Sequence, residues 1–299
     1  MDSPLLFPVK RHENKILVLD ETALPFKEAY IEVDCLEDAL KVLNEMKTRS
    51  LGQVLLFFHC CVFFRKEHRI EEICKQFQAQ RPTFDFKMLQ DILPQQVGGG
   101  IAVGDAVDGF IRMFDKARKR RTEILADILP DPANILTICN VNGELIYLYE
   151  ELVKLKKNGQ FFVSETRPYL QGSRLTFWEL SRSNIPVKII ADNQAAALMT
   201  KGAVNCVVTG ADRATVKGDI INKIGTYALA RLALHFNIPF YPLIQYPRDI
   251  DIDSIPIEER PDQETFMFLE GNFSSVEAFY PAFDLVHSEY VTKSIVLPV

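Results

Sequence analysis

The chain reads as an α/β protein, and two observations carry that reading. From Asn134 onward, short β-rich runs alternate with helix-length amphipathic segments, the pattern of a parallel sheet with helices on its faces. Polar residues are scarce inside those runs and collect just after them, where ligands meet such sheets. At 299 residues there is room for two domains, each with its own core.

Residues 1 to about 120 mix short apolar runs with helical patterns, notably CLEDALKVLNEM (35–46) and the long stretch around Ile101 to Leu125. The run Val54 to Phe64, interrupted by His59, is too short to span a bilayer and reads as a buried helix or strand. KARKRR (116–121) is expected to be the solvated face of a helix rather than a nuclear address or a phosphate patch. The prolines of DILPDP place a boundary near Asp131 to Ala133, giving a smaller, mainly helical or mixed domain over 1–130 and a second over 131–299. In that second part ANILTIC, GQFFVSE, IPVKIIAD, AVNCVVTGAD and IPFYPLI read as strands. GELIYLYEELVKLKKNG, SRLTFWELSRSN, NQAAALMTKG and GDIINKIGTYALARLALHFN read as the helices between them.

Composition bounds the function. Hydrophobic residues at 47% and charged residues at 25% are those of a soluble globular enzyme. A net charge of −6 argues against a nucleic-acid binder, and no membrane span or signal peptide is expected. Six cysteines without CxxC spacing fit a reduced, cytoplasmic setting. His59, Cys60 and Cys61 point to different faces of any helix or strand, so core packing is expected there and not a metal site. Cys206 alternates with apolar residues as a small core hydrophobe.

Cys139 and Asn140, Glu165 and Arg167, Asp192 and Asn193, and Asp212 and Arg213 each follow a predicted strand and should face one crevice. A thiol in a loop near a helix N-terminus has its pKa lowered, so Cys139 is either functional or a buried structural cysteine. Asp212, pressed against apolar residues, could act as a general acid near neutral pH; otherwise it caps a helix or pairs with Arg213. Asn222 and Lys223 open the helix predicted at GDIINKIGT, where the lysine could meet a phosphate. Gln171, before Gly172 in a loop, has an amide for a sugar hydroxyl. Together these groups suit a small, phosphorylated, polyhydroxylated molecule.

The stretches TICN, SETRPYLQGSRLTFWEL, IPVKIIADNQAA, GADRATVKGDIINKIGTYALARLA, IPFY, IPIEER and YPAFD occur in that order and cover residues 134 to 284. They resemble the methylthioribose-1-phosphate isomerase family, which is related to archaeal ribose-1,5-bisphosphate isomerases. It is also related to the alpha, beta and delta subunits of a eukaryotic translation-initiation exchange factor. The resemblance implies a Rossmann-like C-terminal domain, a smaller N-terminal domain, a homodimer, and no metal or nucleotide cofactor. By it Cys139 matches the catalytic cysteine, Asp212 the proton-donating aspartate, and Gln171, Asn222 and Lys223 substrate-binding positions. Arg81 in RPT matches the family's arginine, and Arg49 aligns within TRSLGQV (48–54), where the family reads RGAPAIG. Ser50 and Leu51 replace its Gly-Ala pair and would crowd a phosphate. CNVNG likewise stands where the family has CNTG or CNAG.

The expected function is therefore an aldose–ketose isomerase of a 5-substituted ribose 1-phosphate such as 5-methylthioribose 1-phosphate. Substrates carrying 5-deoxyribose 1-phosphate or ribose 1,5-bisphosphate are alternatives within that reading. The rival is a non-catalytic, ligand-sensing relative like the exchange-factor subunits. The altered 48–54 loop speaks for the rival; Cys139, Asp212 and the Asn222–Lys223 pair together speak for catalysis.

Overall fold

The computed structural model describes residues 3–66, 68–97, 102–267, 269, 271, 275 and 277–297. The chain forms two compact units that meet in sequence at Ala117 and Arg118. That division lies inside a helix rather than at the prolines near residue 131. The reason is packing: beyond Arg118 the helix buries Leu125 and Ala126, with Leu129 just after it, in the core of the second unit.

In the first unit, β1 (Val9–His12), β2 (Lys15–Leu19) and β3 (Tyr30–Val33) form an antiparallel meander. Helices α1 (Leu36–Asn44), α2 (Leu51–Phe63), α3 (Ile70–Gln80), α4 (Phe86–Val97) and α5 (Val103–Ile128) follow. Ile101, where the long helical stretch was expected to begin, lies outside the described residues. The apolar run of 54–64 is the helix α2, buried all round, as a helix without a polar face must be. Phe57 packs its ring against Phe58, Phe77 and Phe86 at centroid distances of 5.7, 5.5 and 5.6 Å. Cys60 and Cys61 are fully buried core residues. His59 is buried with them, and burial, reinforced by the charge of Arg11, lowers its pKa to about 4.

In the second unit the elements are β4 (Ala133–Thr137), α6 (Glu144–Lys154), β5 (Gly159–Ser164), α7 (Trp178–Arg182), β6 (Val187–Ile190), α8 (Ala195–Thr200) and β7 (Cys206–Thr209). There follow β8 (Arg213–Ala214), β9 (Ile220–Lys223), α9 (Thr226–His235), β10 (Phe240–Ile244), β11 (Phe283–Val286) and β12 (Ile295–Val296). Six strands make one parallel sheet in the order β12-β10-β7-β4-β5-β6. Its strands read as continuous apolar runs because both faces are covered. Ala133 and Ile135 of β4, with Cys206 and Val208 of β7, join one buried cluster; Leu136 and Val207 join the other.

Two expectations are corrected. GDIINK does not open a helix: Ile220–Lys223 is β9, the middle strand of a separate antiparallel sheet β11-β9-β8. Branched Ile220 and Ile221 suit the pleat, and Gly225, at φ 100°, separates β9 from α9. The basic run is solvated only in part. Lys116, Lys119 and Arg120 are exposed, but Arg118 and Arg121, one turn apart on the same face of α5, are fully buried. Arg121 grips Glu144 with two prongs, Nε to Oε2 at 3.0 Å and Nη2 to Oε1 at 2.5 Å.

The first unit's core should be intolerant of truncation. Phe57→Ala removes the hub of the ring cluster and should lower stability by about 3–5 kcal/mol, read as a shift of the urea midpoint. His59 predicts an acid response. Its folded-state pKa of about 4 lies below the unfolded value of 6.5, so the folded chain binds fewer protons between them. Stability present above pH 6.5 is lost as the pH falls through 4, by about 3 kcal/mol from this group. His59→Gln should flatten that part of the stability–pH curve; an unchanged slope would assign the loss to other groups.

Candidate active site

The chain leaves β4 for β5 and β6 on one side, then returns to β7 on the other. Loops after β4 and β7 therefore diverge at the carboxyl edge of the sheet, and a crevice opens there. Cys139 lies two residues beyond β4 and is partly exposed, whereas Cys60, Cys61, Cys74 and Cys206 are buried. Burial pushes the Cys206 thiol up to about 12. The backbone at Cys139 is left-handed, at φ 64°. Its N–H donates to Thr166 Oγ1 at 2.9 Å, and its carbonyl accepts from Thr176 Oγ1 at 2.5 Å. Asn140 donates to the same Thr176 hydroxyl at 3.2 Å and accepts from the Asn142 N–H at 3.0 Å. Asn142 and Gly143 are also left-handed, and Glu144 then starts α6.

Beyond β5 the chain is tied down by Asp192. One carboxylate oxygen accepts from Ser164 Oγ and the Thr166 N–H, both at 2.8 Å, and the other from the Arg167 N–H at 2.7 Å. Asp192, expected in the crevice for its chemistry, thus holds the neighbouring loop. Gly172 sits so close that a Cβ there would lie 1.7 Å from the Ser164 carbonyl oxygen. Gln171 stands just before a wide π-helical turn, Gly172–Phe177, that leads into α7. The turn hands over to Trp178, whose indole carries the Arg182 guanidinium at 4.7 Å. Gln171 is buried, and its Oε1 accepts no hydrogen bond among the described residues.

Beyond β7, the Asp212 N–H donates to the Ile221 carbonyl at 2.9 Å, which fastens the GAD turn to β9. Three segments converge there. A Cβ on Gly210 would meet Val141 Cγ1 at 3.7 Å and Asn222 Oδ1 at 3.9 Å, and one on Gly225 would come within 2.9 Å of Ile138 Cδ1. The Cys139 loop, the Asp212 turn and the end of β9 are therefore neighbours. Asn222, buried, donates to Thr226 Oγ1 at 2.9 Å. Lys223, also buried, holds its ammonium 4.8 Å above the Phe283 ring. Asp284 accepts from the N–H groups of Gly225 and Tyr227 at 2.7 and 3.0 Å, and burial raises its pKa.

Arg49 and Arg81 belong to the first unit. Glu21 is buried and accepts from Thr48 Oγ1 at 2.7 Å and the Arg49 N–H at 3.1 Å, with the Arg49 guanidinium 3.5 Å away. Burial raises the Glu21 pKa against the opposing pull of Arg49. Gly52 lies against the Thr48 side chain, where a Cβ would overlap Oγ1 at 1.7 Å. Leu51, expected to crowd this loop, is buried at the start of α2. Arg81 is buried with Nη1 2.8 Å from Met46 Sδ.

Sequence reasoning missed Glu21, since its partnership with Arg49 spans 28 residues and exists only in the fold. It also missed Thr137 and Thr209, which end β4 and β7 with buried hydroxyls that have no partner among the described residues. A threonine closing an apolar strand was their only signal. Among the described residues no three His, Cys, Asp or Glu side chains stand together as metal ligands, and no helix is long and apolar enough to cross a membrane.

Residues 53–296 match the model of the initiation factor 2 subunit family. The methylthioribose-1-phosphate isomerase of Anaeromyxobacter sp. (strain Fw109-5) is 33% identical over 317 residues, 99% of this chain and 94% of that one. In fold, the chain is similar to the 5-methylthioribose 1-phosphate isomerase of Pyrococcus horikoshii OT3, with a TM-score of 0.78, 24% identity, and 99% and 93% of the two chains covered. The translation initiation factor eIF-2B, subunit delta, from A. fulgidus aligns with a TM-score of 0.72 at 26% identity over 96% and 93%. The chain belongs to the initiation factor 2 subunit family, in company with the methylthioribose-1-phosphate isomerases.

Proposed function

We propose that the chain is an aldose–ketose isomerase that converts 5-methylthioribose 1-phosphate to the corresponding ribulose 1-phosphate. The observation that carries this is the convergence of the Cys139 loop, the Asp212 turn and Asn222 where the strand order reverses. The order of the six-stranded parallel sheet supports a Rossmann-like reading, in which ligands lie at this point. Near-full-length relatives named for this reaction support the substrate. By the same reading the protein is a cytoplasmic homodimer that uses no metal or nucleotide cofactor.

A sugar phosphorylated on its anomeric oxygen lacks the hydroxyl that would let its ring open unaided. Asp212, as the carboxylic acid, protonates the ring oxygen as the bond from C1 to that oxygen breaks. A hydrogen moves from C2 to C1, and the C2 hydroxyl returns a proton to the Asp212 carboxylate as the ketone forms, so atoms and charge balance. Cys139 serves the charge that develops between C1 and C2. Gln171, with its orphaned acceptor, and Asn222 orient hydroxyls. Lys223 and the arginines of the first unit, Arg49 and Arg81, are assigned to the phosphate.

Two measurements test this. Asp212→Asn keeps shape but cannot deliver a proton, and should cut ketose formation, followed by NMR, about 10²-fold or more with binding retained. Cys139→Ser should behave likewise; near-normal turnover removes that residue from the mechanism. Arg81→Ala should weaken binding of the sugar phosphate by about 2–4 kcal/mol, and less for the sugar lacking phosphate. Tight binding by the unmodified protein without any ketose would turn the reading toward a ligand-sensing relative.

A further inference from the structure

The two bulkiest fully buried side chains described are cations, Arg118 and Arg121, both on α5. Taking a guanidinium out of water is costly, and a chain that needed only to fill this space would do as well with apolar residues. Their placement therefore calls for a reason, and their partners supply one. Arg118 Nη1 donates to the carbonyl of Asn142 at 2.7 Å, and its guanidinium lies 5.6 Å from the Tyr147 ring on α6. Arg121 takes both oxygens of Glu144, the first residue of α6. Both arginines thus hold the same three-residue segment, 142–144, immediately after Cys139.

That segment needs holding. Cys139 at φ 64° and Asn142 at φ 50° are left-handed without being glycine, a conformation that asparagine tolerates and cysteine rarely adopts. Thr166 and Thr176 fix the N–H and the carbonyl of Cys139 on its own side of the loop. Thr176 reaches the turn that follows through the Asn140 side chain, and the direction of the thiol depends on both ends of the loop. Asn142 also returns an N–H bond to Asn140, so a shift of the Asn142 peptide is passed straight to the residue beside Cys139.

We infer that Arg118 and Arg121 are positioning residues: by clamping Asn142 and Glu144 from α5 they set the orientation of the Cys139 thiol. The inference rests on the proposed role of Cys139, but one of its readouts does not. Both arginines are fully buried behind this segment, so their loss should act on the chemical step rather than on binding.

The test compares the full-length protein with Arg118→Met, Arg118→Lys and Arg121→Lys. The first readout is the rate at which iodoacetamide alkylates Cys139, mapped by peptide mass spectrometry. Cys35, partly exposed in the other unit, is the internal control. The second is ketose formation resolved into kcat and KM, and the third is thermal stability. Arg118→Met should change the Cys139 alkylation rate several-fold while Cys35 is unchanged. It should lower kcat by about 10-fold or more with KM nearly constant, the signature of a misplaced group. Arg118→Lys, which still offers a donor to the Asn142 carbonyl, should recover part of both. If Arg118→Met does not fold, the two lysine variants carry the comparison, with intermediate effects expected. A lower melting temperature with unchanged Cys139 alkylation and unchanged kcat would make the arginines plain structural props and overturn the inference. Should even the unmodified protein form no ketose, the alkylation rates still decide the clamp while the isomerase reading fails on its own.

Discussion

The parallel pairing of β4 with β7, with Ile135 opposite Cys206 and Leu136 opposite Val207, is the constraint on which the second unit depends. It joins strands that the chain visits far apart in sequence, one before and one after the excursion through β5 and β6. Because of it, the loop bearing Cys139 and the turn bearing Asp212 leave the sheet side by side. A sheet wound steadily in one direction would place a connecting helix over that edge instead. The small sheet of β8, β9 and β11 then closes against the same edge, held by the bond from the Asp212 N–H to the Ile221 carbonyl.

Around this edge several unusual conditions gather. Cys139, Asn142, Thr166 and Leu170 are all left-handed, and all lie in the two loops that follow β4 and β5. Buried hydroxyls on Thr137 and Thr209 and a buried acyl oxygen on Gln171 go without partners among the described residues. Such strain and such orphaned groups persist only where a well-packed surround over-determines them. The two apolar clusters on either face of the sheet provide that surround.

Much of this was legible in the sequence because the physics is local. Continuous apolar runs ending in polar residues marked β4, β5, β6 and β7 and located Cys139 and Asp212 at their ends. Errors arose where local pattern and tertiary pairing disagree. Ile220 and Ile221 continue smoothly into the helical TYALARLALH, and only pairing with β8 and with Phe283–Val286, some sixty residues on, makes them a strand. The run KARKRR looks uniformly solvated, yet the partners that draw Arg118 and Arg121 inward lie more than twenty residues away. Glu21 carries no sequence mark at all, since a lone acid before a threonine is ordinary until the fold sets it against Arg49.

The wide turn at Gly172–Phe177 has an optical consequence. Trp178, which ends it, is the single tryptophan of the chain, and the phenylalanine-rich first unit has none. Intrinsic indole emission is thus a private signal from the stretch beside Gln171, where the Arg182 guanidinium lies 4.7 Å from the ring. The first unit holds one of the nine tyrosines, Tyr30, and no tryptophan, so its unfolding is followed by circular dichroism. Two spectroscopic probes, followed in one denaturant series, can therefore time the two units separately without any label.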